Sequence, residues 1–268
     1  MPSAQYGSLP FEEAIKYFRQ KLNVPTERWA DVWAKAHDRA FMVAGAMKDD
    51  LLNDFRMAVD DAIANGRSIS WFKREFKSIV ARHGWSHTGN ANWRSRVIYE
   101  TNVRQSYNAG RYAQLQRFPF WEYRHGDSIV PRPLHLSWDR LVLPKDDPWW
   151  AKHFPTNGYG CKCKVYGRSE NEMQRRGLTP GNAPNDGTYE WTDTVTGEVF
   201  EMPRGIDPGF DYAPGSGVET RSLAQVAERK AKIYEPPERV VPDLFSTARG
   251  VTNDTFNAIW QRAPDELK

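Results

Sequence analysis

The chain has 268 residues, of which 40% are hydrophobic, 13% aromatic and 26% charged, with a formal net charge of +3. This composition excludes a disordered or fibrous chain, and the length allows one large or two smaller domains with a sizeable core. No apolar run approaches the ~18 residues of a membrane-spanning helix, and MPSAQYGSLPFEEAIKYF has no basic region followed by an apolar block, so the expectation is a soluble protein without signal peptide, made in a cytoplasm.

Residues 1–10 read as an extended arm. Phe11, Ala14, Ile15, Phe18 and Leu22 then recur at helical spacing, with Glu12 and Glu13 near the positive end of the helix dipole. Pro25 suits the opening turn of a second helix, in which Trp29, Val32, Trp33, Ala36, Ala40, Phe41 and Val43 continue the period to about Met47. Asp49–Ala64 repeats the pattern and stops at Asn65-Gly66; the next helix, SWFKREFKSIVARHG, can be capped by Ser68 or Ser70 and stops at Gly84. The longest helix is expected over residues 93–116, with Arg94, Arg96, Arg104 and Arg111 alternating with apolar residues.

Residues 67–104 carry Arg67, Lys73, Arg74, Lys77, Arg82, Arg94, Arg96 and Arg104 against only Glu75 and Glu100. Such a run is either a solvated helix face or a surface that meets nucleic acid through phosphate contacts, with Arg94, Arg96 and Arg104 as the candidates.

After Phe118-Pro119-Phe120 the helical period disappears. Residues 120–124 suit a short strand, and RHGDSIVPRPLHLSWDRLVLPKDDPWWAKHFPTNGYGCKCKV is so rich in Pro and Trp that turns and packing must fold it. A helix is expected over 171–177 behind Ser169, and a hairpin in YEWTDTVTGEVFEMP around Thr196-Gly197. RGIDPGFDYAPGSG reads as an irregular wrapping segment anchored by Phe210 and Tyr212, and further helices are expected over 223–234 and up to Arg262. The fold class is therefore α+β: a mainly helical region (1–118), a smaller loop-rich α+β region with short strands and a hairpin (119–217), and a helical C-terminal extension (218–268) suited to docking on a partner.

The segment after Arg124 holds both cysteines, Cys161 and Cys163, and three of the six histidines, His125, His135 and His153. Thiolate and imidazole together suit zinc, with Cys161, Cys163 and His135 as ligands and Asp127, His153 or His125 as a fourth. The plainer reading is two buried thiols and hydrogen-bonded histidines. An acid–base reading pairs His135 with Asp127 or Asp139, and Arg132 with an anion. No sequence pattern of a cysteine hydrolase surrounds Cys161, and Trp149 and Trp150 read as packing residues.

AHDRAFMVAGAMKDDLL from Ala36 and RSRVIYETNVRQSYNAGRY from Arg94 precede Asp127, Arg132 and His135. A Leu-x-x-x-Asp-Asp-Pro-x-Trp block from Leu143, PTNGYGCKC ending at Cys163, and GFDYAPG from Gly209 follow. In this order the pieces resemble the phage Mu F-like minor head proteins, also called phage head morphogenesis proteins. Members often carry Asp-x-Arg-x-Arg-x-x-His, whereas Asp127 and His135 here enclose a longer spacing. The resemblance implies a low-copy structural protein of the virion head, not an enzyme, present in the host cytoplasm during assembly. Its implied partners are portal protein, major capsid protein and packaged double-stranded DNA. The alternative is an enzymatic or toxin-like effector acting on a nucleotide or nucleic acid through His135 and Arg132.

Overall fold

In the computed structural model, which describes residues 11–126, 128 and 130–217, the N-terminal part is mainly helical and the class is α+β. The expected N-terminal arm, the expected helices after Gly217 and the candidate ligand Asp127 lie outside the described residues.

Three amphipathic helices form where apolar residues recur at helical spacing. Helix α1 (Glu12–Arg19) buries Ala14, Ile15 and Phe18, and α2 (Asp49–Ala64) buries Leu51, Leu52, Phe55, Ala58, Val59 and Ala62. Helix α3 (Ile69–His83) starts at Ser68, whose hydroxyl accepts from the Trp71 N–H at 3.3 Å, and ends at Gly84 in the left-handed region. Asn90 caps α4 (Ala91–Leu115) through the Trp93 N–H at 2.8 Å. At 1.5 Å per residue its 25 residues reach roughly 37 Å, long enough to join two packing centres. Ile98 joins a core with Phe18, Phe41, Phe55, Phe72 and Phe76, and Leu115 joins another with Trp121, Trp138, Trp150 and Phe154.

The helix expected after Pro25 does not form. In its place stand 3-10 turns over Trp29–Asp31 and Ala34–Asp38, and a two-residue strand β2 (Ala40–Phe41) parallel to β1 (Leu22–Asn23). The apolar residues that looked like one stripe serve three destinations, with Phe41 and Val43 in the first core. Val32, Ala36 and Ala40 form a small cluster of their own, while the Trp33 ring stacks on Phe200 at 4.2 Å. Asp31 accepts from the Glu27 and Arg28 N–H groups, both at 3.0 Å, and Asp38 accepts from the Gly215 N–H at 3.0 Å and the Tyr17 hydroxyl at 2.8 Å. These carboxylates take over backbone and hydroxyl donors that hold the segment in irregular form.

The second centre is built on a three-stranded antiparallel sheet in the order β4 (Val142–Pro144), β3 (Phe120–Arg124), β5 (Lys164–Arg168). Trp121, Tyr123, Leu143 and Val165 fill its buried face. Glu122 is also buried and is held by Arg168, whose Nε donates at 2.6 Å. Short helices α5 (Pro133–Ser137) and α6 (Trp150–His153) fill the connections. Helix α7 (Glu170–Arg176) follows, capped by Ser169 and closed by a left-handed Gly177, as its sequence predicts. The expected hairpin is present as β6 (Thr188–Thr192) and β7 (Val199–Pro203), with Trp191 opposite Phe200. Residues 204–217 then wrap back in irregular form, burying Phe210, Tyr212 and Ala213.

Candidate metal centre

Pro133, with its preset φ, opens α5 and turns His135 into the interior. On the opposite side, Cys161 and Cys163 sit on the loop entering β5, where the Cys161 N–H bonds the Gly158 carbonyl at 3.1 Å. Arg104 on α4 reaches the Cys161 carbonyl at 3.4 Å and ties this loop to the long helix. Gly126 lies so close to the loop that a side-chain carbon there would meet the Lys162 carbonyl oxygen at 2.1 Å, so only glycine fits.

Three sequence candidates thus meet. His135, Cys161 and Cys163 are all buried, and their ligand atoms lie within 4.8 Å of one another. The His135 Nε2–H donates to the Gly205 carbonyl at 2.7 Å, which leaves Nδ1 as a lone pair. That nitrogen faces Cys163 Sγ at 3.5 Å and Cys161 Sγ at 3.9 Å. The imidazole is held flat on Trp138, with centroids 5.1 Å apart, and the Trp138 indole N–H is fixed by Asp186 at 2.8 Å. The two thiols titrate as a unit: hydrogen bonding from Cys161 pulls Cys163 down, and the same bond, with burial, pushes Cys161 up.

Residues 53–166 match the family described as Phage Mu protein F like protein. The putative capsid assembly protein F of Escherichia phage Mu is 33% identical over 87% of this chain and 61% of its own length. The chain belongs to the phage Mu F-like family. The Mu-like prophage FluMu F protein of Haemophilus influenzae is also 33% identical, over 64% of this chain and 44% of its own length. The chain therefore spans less than two thirds of the length of these relatives. No solved structure matches. The matched stretch contains His135 and both cysteines, whereas the Gly205 carbonyl that orients the imidazole lies beyond it.

The other candidates in this family member are placed as follows. His125 lines a small cleft of about 110 Å³ with His135, Cys161, Cys163 and Arg132. His153 stacks on Trp149 at 4.3 Å, bonds the Trp149 carbonyl through Nδ1 at 3.0 Å, and stands outside the thiol–imidazole cluster. Burial holds His153 down to about 4. Asp139 accepts from Arg124 Nε and from the His125 N–H, and is not paired with His135. Arg132 pairs with Asp207 at 2.6 Å, and the same carboxylate accepts from the Tyr159 N–H at 3.0 Å. The Trp149 and Trp150 side chains are buried.

The three arginines proposed for phosphate contact differ in setting. Arg94 donates to the Ala44 carbonyl and lies 5.6 Å over the Trp85 ring, at the edge of an apolar cavity of about 470 Å³. Arg104 pairs with Glu100 at 3.2 Å, while Arg96 is exposed. Sequence reading missed Gly205, Trp138 and Asp207, because a carbonyl turned toward a histidine 70 residues earlier leaves no local signal.

Proposed function

We propose that this chain is a minor structural protein of a tailed-phage head and acts in head assembly through contacts with portal protein, major capsid protein or DNA. The observation that carries the proposal is 33% identity over 87% of the chain to a phage Mu protein named a putative capsid assembly protein. The chemistry of the site agrees with a structural role. Its imidazole is committed on one side to a backbone carbonyl and on the other to two buried thiols, and its neighbouring arginine to Asp207. The enzymatic alternative through His135 and Arg132 would need both groups to turn from these partners toward a substrate. Of the basic residues on α4, Arg96 is the one exposed for sequence-independent phosphate contact in the head.

The test is to remove the gene from the phage and inspect the products. The expected result is defective heads, with the chain present at a fixed low copy number in purified wild-type heads. Normal, infectious particles formed without it, together with its absence from wild-type heads, would overturn the reading.

A further inference from the structure

We propose that His135, Cys161 and Cys163 bind one zinc ion, through Nδ1 and two thiolates, as a structural centre that ties three distant parts of the chain together. With Zn–S near 2.3 Å and Zn–N near 2.05 Å, tetrahedral angles place a sulfur and a nitrogen ligand about 3.6 Å apart. The observed separations of 3.5 and 3.9 Å bracket that value. Two buried thiols facing one imidazole lone pair over-supply it as hydrogen-bond donors, since Nδ1 accepts one such bond; a cation uses all three groups at once.

The surroundings supply what a zinc site needs beyond its ligands. The Nε2–H bond to the Gly205 carbonyl fixes the tautomer and aims Nδ1 inward, the outer contact by which metal-bound histidines are oriented. The fourth position faces the small cleft lined by His125 and Arg132, giving an entry path and room for one more ligand. On binding, the remaining thiol protons leave to solvent and no electrons move. The centre would join α5, the loop entering β5 and the Gly205 turn, where regular hydrogen bonding is sparse.

The full chain, purified without chelator, should contain close to one zinc, measured by elemental mass spectrometry. Replacing the zinc with cobalt(II) should give a sulfur-to-metal charge-transfer band and the strong visible bands of a tetrahedral site. Cys163→Ser should cut the charge-transfer intensity by about half, as one thiolate of two is lost. Less than about one zinc per ten chains, with no charge-transfer band after cobalt addition, overturns the proposal. So does a charge-transfer band that survives unchanged in the Cys161→Ser/Cys163→Ser double variant. The wild-type measurements need no variant to fold.

Discussion

Two arginines only two residues apart on α4, and so on different sides of it, illustrate how little charge alone decides. Arg94 gives its guanidinium to the Ala44 carbonyl and to the Trp85 face, whereas Arg96 is exposed. Arg94→Ala therefore removes a charge-assisted hydrogen bond and a cation–π contact, and should lower unfolding stability by about 1–2 kcal/mol in urea titrations. Arg96→Ala should stay within about 0.5 kcal/mol of the parent. Equal losses for the two variants would sink this division. The same lesson applies to the centre. Cys161, Cys163 and His135 could be named from the sequence because their residue types carry the chemistry. Their convergence could not, since it depends on a carbonyl at Gly205 and an indole at Trp138 that only the folded chain brings near.

At the scale of elements, α2, α3 and α4 were readable from their apolar period and α7 from its end residues; the side chains of Ser68 and Ser169 cap their helices as expected, while the cap of α4 by Asn90 was not foreseen. The segment after Pro25 had the period without the consistency. Its residues 29–41 divide among three packing surfaces, and Asp38 draws donors from Tyr17 and Gly215, information that periodicity does not hold. The crossing of α1 and α4 gives a sharper test. A side-chain carbon on Gly110 would lie 2.7 Å from the Phe11 ring and 2.8 Å from the Ala14 backbone nitrogen. Alanine gains up to about 1 kcal/mol of helix propensity over glycine, but a clash with backbone cannot be relieved by a rotamer change. Overpacking should win, and Gly110→Ala should destabilise by about 1–3 kcal/mol, seen as a lower melting temperature. A higher melting temperature would mean that α1 is free to move away. Asp38→Ala tests the irregular segment: it strands the Gly215 N–H and the Tyr17 hydroxyl, with an expected cost of about 2–4 kcal/mol.

Across the whole molecule, the packing around the two ends of α4 contains histidines held neutral, and acid should strike both. Burial, with the nearby Lys21 charge, lowers His37 to about 3, while burial lowers His153 to about 4 against the opposing pull of the Trp149 carbonyl. An unfolded histidine titrates near 6.5. Between that value and the folded ones, the unfolded chain binds protons that the native chain refuses, so stability is full above about pH 6.5 and is lost as pH falls toward 4. At pH 5 each group would contribute a loss of about 2 kcal/mol if fully shielded. Both side chains are half-buried, so about 1 kcal/mol each is the better figure once solvent screening is counted. Against a typical total of about 5–15 kcal/mol, that is a loss large enough to read by urea denaturation at pH 7.5 and pH 5. Release of zinc from protonated thiolates would steepen the same slope, so the comparison that isolates histidine is His153→Gln, which should flatten the acid dependence by about 1 kcal/mol. His153 stands outside the thiol–imidazole cluster, so its replacement should not alter binding of the zinc proposed there. A slope identical to that of the parent would show that the indoles around His153 admit its proton in the folded state.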